Sequence, residues 1–129
     1  MPSLSQFAFV GLGGAIGAMM RYFVESLGFF DADKYLYTLV VNITGCLAIG
    51  VAYAVITNMG FRHWTYELII TGIIGGYTTY SSFSLDFTLL VKDGRATEAM
   101  MYLLTTVVCT LGGCLSGYFL TNKLFKLLG

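Results

Sequence analysis

The amino-acid sequence predicts an all-α membrane protein with four transmembrane helices per chain, the third broken mid-membrane, paired as an antiparallel (dual-topology) dimer. Three observations predict it. Charged residues make up only 11% of the 129 positions and apolar residues 57%, against roughly 25% and 45–50% in soluble domains. Uncharged runs cover Tyr35 to Phe61, Leu68 to Leu85 and Ala99 to Asn122, each meeting the ~18 residues that a hydrocarbon core of ~30 Å demands. Finally, with Arg21 treated as intramembrane, Arg62, Lys123 and Lys126 on one side balance Lys34, Lys92 and Arg95 on the other, so the positive-inside rule gives almost no preferred orientation.

A single domain follows, 1–129, with helices over roughly 5–29, 35–58, 66–91 and 98–122. The first starts in an uncharged run from Met1 to Met20 and carries Arg21 and Glu25 near its far end. No Lys or Arg precedes the apolar part, so this run lacks a signal peptide's positive n-region and is kept in the mature protein. The second helix puts Thr38, Asn42 and Gly45 on one face at i, i+4 and i+7. In the third, Gly75 and Gly76 precede Tyr77-Thr78-Thr79-Tyr80-Ser81-Ser82, a poor helix interior of flexible, β-branched and hydroxyl residues that predicts a break. Beyond the break, Tyr80 and Phe83 share a face, with Asp86 three residues further on. The fourth helix carries a one-sided hydroxyl stripe at Tyr102, Thr106 and Thr110, followed by Ser116.

The connections are short. They fall near 30–34 with Asp31, Asp33 and Lys34, near 60–66 with Arg62, His63 and Trp64, and near 92–98 with Lys92, Asp93, Gly94 and Arg95. They leave no room for a soluble domain. Gly13-xxx-Gly17, Gly72-xxx-Gly76 and Gly113-xxx-Gly117 have the small-xxx-small spacing that lets membrane helices approach closely.

Several functions are set aside by composition. Seven Lys+Arg against seven Asp+Glu give zero formal net charge, so no basic field draws nucleic acid. Cys46, Cys109 and Cys114 lie in apolar runs without CxxC spacing, and His63 is the single histidine, which leaves no metal-ligand set. Gly11-Leu12-Gly13-Gly14-Ala15-Ile16 has Ile16 where a dinucleotide fingerprint needs glycine, and no P-loop is present. Asn42-Ile43-Thr44 matches a glycosylation sequon but sits inside a lipid-buried helix, where it cannot serve. What remains is a set of amides, hydroxyls and aromatic edges at mid-span with no buried carboxylate. Such donors favour an anion, because ring edges carry positive partial charge and an unsatisfied polar group in hydrocarbon is costly.

Three motifs, Gly13-Gly14-Ala15-Ile16-Gly17-Ala18-Met19-Met20-Arg21-Tyr22, Thr38-Leu39-Val40-Val41-Asn42-Ile43-Thr44-Gly45 and Gly75-Gly76-Tyr77-Thr78-Thr79-Tyr80-Ser81-Ser82-Phe83-Ser84, closely resemble the Fluc (CrcB) family of bacterial fluoride channels. The likeness covers nearly the whole chain. It implies a dual-topology homodimer with two fluoride pathways in the bacterial inner membrane, passively exporting fluoride that entered as HF and dissociated inside. Carried over by residue, Asn42 resembles the pore asparagine and Phe83 the second phenylalanine whose edge faces the ion. Thr38, Tyr102, Thr106 and Thr110 resemble the polar track, with Thr106 and Thr110 standing where the family has Ser. Thr79 and Ser81 join the pathway from the break. Arg21 resembles the basic vestibule residue, and the backbone carbonyls of Gly75 and Thr78 those that hold a structural Na+ at the dimer interface. Two positions depart from the family: its first box phenylalanine is Tyr80 here, and its glutamate after the box is Asp86.

Two other classes fit the helix count. A small dual-topology proton-coupled multidrug exporter needs a deep membrane carboxylate, whereas Glu25 lies near a helix end and the only tryptophan, Trp64, lies in a loop. A non-transporting scaffold predicts tolerance to Asn42→Ala and Phe83→Ala. Within the family, some channels pair two non-identical chains, so the expected partner is a second copy or a homologous second chain.

Overall fold

A computed structural model describes residues 1–30 and 33–129; the loop position Asp31 lies outside the described residues. All regular structure among the described residues is helical: α1 (Leu4–Glu25), α2 (Tyr35–Met59), α3 (His63–Tyr66), a π-helical segment (Glu67–Ile74), α4 (Gly75–Tyr77), α5 (Tyr80–Lys92) and α6 (Ala96–Leu128). By length and composition α1, α2 and α6 are three helices able to cross a membrane.

Local chemistry explains the boundaries. Ser3 and Gln6 form a reciprocal capping box that starts α1, satisfying amides that have no intrahelical partner. The helix was expected to continue to about Phe29 but ends at Glu25. Ser26 closes it by donating its amide to the Tyr22 carbonyl (3.0 Å) and its hydroxyl to the Phe23 carbonyl (2.7 Å), and Gly28 then adopts φ +70°. At the other end of the chain α6 exceeds its expected 98–122 span in both directions. Its 33 residues rise roughly 50 Å at about 1.5 Å each, longer than a hydrocarbon core of about 30 Å. Lys123 and Lys126 lie in its C-terminal turns, where cations suit the helix dipole. The expected third helix, 66–91, is instead assembled from the π-helical segment, α4 and α5, preceded by α3 and interrupted by extended backbone at Thr78 (ψ 155°) and Thr79 (φ −150°, ψ 115°).

Packing forms two layers that share this interrupted element. α2 lies along α6, and α1 lies along the π-helical segment and α4, whereas α5 packs on α6 and α2. The chain therefore exchanges one helical neighbour for another at Thr78–Thr79. Two of the expected glycine motifs face each other: a Cβ on Gly13 would lie 2.9 Å from the Gly72 Cα, and one on Gly76 would lie 2.9 Å from the Gly14 Cα. In the third motif Gly117 meets the Leu47 carbonyl, but Gly113 has only ordinary van der Waals neighbours. Outward on α6, Leu104, Val108, Leu111 and Leu115 are each more than half exposed; in lipid such a stripe incurs no hydrophobic penalty.

At one end of the bundle Arg95 joins the connections, bonding Asp33 (2.7 Å) and Glu98 (2.5 Å) and lying 5.9 Å over the Tyr35 ring. Hydrogen bonds from Glu98 and then Asp33 push the guanidinium pKa still higher than usual, so it stays charged at every working pH. The group is well exposed, and exposed pairs contribute only about 0–1 kcal/mol. Arg95→Ala is accordingly expected to lower thermal stability only slightly, measured as a small shift of the unfolding midpoint in detergent.

Candidate ion pathway

The break is held from the side by one amide. Asn42, buried on α2, donates from Nδ2 to the Thr79 carbonyl (2.9 Å) and accepts from the Thr79 N–H at Oδ1 (2.8 Å). One side chain thus satisfies both backbone groups of a residue that no helix serves, removing what would otherwise be a large penalty for a buried peptide unit. Thr79 then caps α5: its Oγ1 accepts the Ser82 N–H at 3.1 Å and lies 3.2 Å from the Ser81 hydroxyl.

Among the described residues, these bonds divert the donors that two carbonyls would otherwise receive. In an uninterrupted α-helix the Gly75 carbonyl would accept from the Thr79 N–H and the Thr78 carbonyl from the Ser82 N–H. Here Asn42 takes the first amide and the Thr79 hydroxyl takes the second. Gly75 is exposed and Thr78 half-buried, so neither residue is sealed inside the chain. Free carbonyls of unwound helix are the donor set that a hard cation uses in membrane proteins, and the pair at Gly75 and Thr78 fits one.

Beside the break a groove of about 270 Å³ is lined by Asn42, Thr78, Thr79, Tyr80, Phe83, Thr106 and Thr110, with Cys46, Leu103 and Val107 completing its walls. Phe83 is buried at 5% exposure and Tyr80 is open at 80%. Their rings form the start of a ladder: Tyr80 to Phe83 at 5.4 Å, Phe83 to Tyr102 at 5.2 Å, and Tyr102 to Tyr35 at 5.1 Å between centroids. At the Tyr35 end stands Arg95, and midway the Tyr102 hydroxyl donates to Asp86 Oδ2 (3.3 Å). A second groove of about 320 Å³ at this end is lined by Glu25, Lys34, Tyr37, Thr38, Ser82, Leu85 and Asp86.

The expected residues are therefore divided. Asn42, Thr79, Tyr80, Phe83, Thr106 and Thr110 share the first groove, and Thr38 lines the second. Tyr102 is buried between α2 and α5 and reaches the second groove through Asp86. Ser81 is exposed and bonds Thr79 without lining either groove, and Arg21 lines neither. The hydroxyl stripe is turned onto its own helix: Thr106 Oγ1 donates to the Tyr102 carbonyl (2.7 Å) and Thr110 Oγ1 to the Thr106 carbonyl (2.6 Å). Each hydroxyl has one proton, so these threonines face the groove with methyls and lone pairs until they rotate. Nothing in the residue pattern signals Tyr35 in the ladder, and the pattern allows Asn42 to be an interhelical clamp without saying that Thr79 is its partner, because both depend on contacts between distant elements.

Known proteins resemble this chain along most of its length. A family model described as "CrcB-like protein, Camphor Resistance (CrcB)" matches residues 8–118. A protein of Paracoccus denitrificans (strain Pd 1222) named "Fluoride-specific ion channel FluC" is 39% identical over 120 residues, 92% of this chain and 96% of its own. Proteins of the same name from Sphingopyxis alaskensis and Helicobacter pylori (strain G27) are each 37% identical, over 118 and 121 residues. They cover 89% and 91% of this chain and 94% and 93% of their own lengths.

Proposed function

Because this chain belongs to the CrcB-like family, whose similar members bear the name of fluoride-specific ion channels, we propose that it is a fluoride channel. It is a multi-pass protein of a bacterial membrane and not an enzyme. The observation that carries the reading is the groove at the break, where the amide of Asn42 and the ring of Phe83 meet hydroxyls of Thr79, Thr106 and Thr110 in an otherwise apolar chain. Fluoride is small and strongly hydrated, so a path must replace water with several close donors and still release the ion. No fixed cation lines the groove, which avoids trapping.

In this reading the π-helical segment, α4 and α5 together make a fourth, discontinuous crossing, and two chains pair antiparallel in the plasma membrane to enclose two pathways. The groove is open on one side in a single chain, with Tyr80 exposed, and a second copy covers it. Fluoride passes along Asn42, Tyr80, Phe83 and the Thr106–Thr110 face toward Tyr102, Asp86 and Thr38, with Arg21 drawing anions near the mouth. A structural sodium ion, held by the Gly75 and Thr78 carbonyls of both chains, supplies positive potential beside the pathways and locks the interface. Inside the cell, fluoride released from HF flows outward down its own gradient.

Efflux from liposomes containing the purified chain alone, followed with fluoride and chloride electrodes, tests the reading. Fast fluoride loss with little chloride loss is expected. Absence of fluoride flux from well-folded dimers would sink the homodimer, and restored flux on adding a homologous chain would identify a heterodimer. On the same assay Thr106→Val and Thr110→Val are each expected to slow fluoride only severalfold. Their protons are already committed to carbonyls, and net hydrogen-bond contributions of about 0.5–1.5 kcal/mol set the scale.

A further inference from the structure

Asn42 touches both features of the break from a neighbouring helix. Its amide lines the groove and also takes the Thr79 N–H that an uninterrupted helix would give to the Gly75 carbonyl. Its Nδ2 meanwhile bonds the Thr79 carbonyl, which fixes the peptide plane that follows Thr78, and Gly45 one turn further along α2 abuts the Thr78 methyl. With Asn42 removed, the Thr79 amide is left unpaired and buried, a situation a chain relieves by finding another acceptor. Gly75 is in register to be that acceptor.

We infer that Asn42 is a positioning residue for the carbonyl site at Gly75 and Thr78, so that one side chain couples the anion path to the cation at the chain interface. This rests on the channel reading above. Of the two protons on Nδ2, one is used on Thr79 and, among the described residues, the other has no acceptor and is available to the groove that Asn42 lines. An ion drawn to that second proton therefore pulls on the group that holds the carbonyls free. Sodium binding and fluoride passage share this element, and any coupling between them is reciprocal.

The test titrates sodium chloride, against N-methyl-glucamine chloride at constant ionic strength, into purified full-length dimers, reading the thermal unfolding midpoint beside fluoride efflux. The wild type is expected to show a saturable sodium-specific stabilisation. Asn42→Ala is expected to raise the half-saturating sodium concentration at least tenfold. Phe83→Ile, which touches the groove but not the break, is expected to lose flux with its sodium response unchanged. An unchanged sodium response in Asn42→Ala, with flux lost, overturns the inference and leaves Asn42 as an anion ligand only. Asn42→Ser, too short to hold both Thr79 groups, gives the same comparison where Ala does not yield dimers. Amide hydrogen exchange of wild-type residues 75–82 needs no variant: a Thr79 amide that exchanges as fast as an unbonded one also overturns it. A wild type that passes fluoride but shows no sodium response removes the cation site and this inference with it, whereas a sodium response without fluoride flux overturns the channel reading.

Discussion

Phe83→Ile is expected to cut selective fluoride efflux steeply while leaving folded dimers. The Phe83 ring is buried, forms one wall of the groove with Asn42 and Thr106, and lies tilted between Tyr80 and Tyr102. Isoleucine is apolar and nearly fills the volume, so packing costs less than about 1.5 kcal/mol. What it lacks is an edge of positive partial charge. Losing one donor to an ion is worth about 1.5–3 kcal/mol, and each 1.36 kcal/mol on the barrier is about tenfold in rate. Efflux should therefore fall on the order of 10–100-fold, with the elution profile of the dimer unchanged. Undiminished flux would remove Phe83 from the pathway and leave Asn42 and the hydroxyls to carry it.

The second large effect is on assembly. A Cβ on Gly17 would overlap the Ile73 carbonyl and lie 2.7 Å from the Tyr77 nitrogen. Both neighbours are backbone, which cannot rotate away, and both belong to the interrupted element that presents the groove. Gly17→Val must separate α1 from the π-helical segment and α4. Overpacking costs typically about 1–3 kcal/mol, and here, with rigid atoms on the receiving side, the upper end applies. Expected outcomes are a fall in thermal midpoint well beyond that of Arg95→Ala and a loss of monodisperse protein in detergent. Gly14→Ala makes a control on the same helix, since its own Cβ position meets nothing within 4 Å.

Much of this protein was legible from residue types alone. Uncharged runs foretold α1, α2 and α6, because an apolar stretch of bilayer length has few alternatives to a helix. Gly75, Gly76 and the hydroxyls after them marked the place where regular helix fails, because local propensity is a property of the chain itself. The grouping of Asn42, Tyr80 and Phe83 followed from motif resemblance and spacing, and the structure brings them to one groove.

Tertiary packing decided the rest. Sequence spacing put Thr106 and Thr110 on one face but could not say where their protons point; the helix carbonyls, one turn back, claim them. The aromatic ladder from Tyr80 to Tyr35 joins residues on α5, α6 and α2, and Tyr102 meets Asp86 only because α5 lies against α6. The freed carbonyl of Gly75 depends on an amide 37 positions away from Thr79 in the chain. Hydropathy and propensity act within a few residues and so can be read from the sequence; which donor reaches which acceptor is fixed by how helices pack, and only the folded chain decides it.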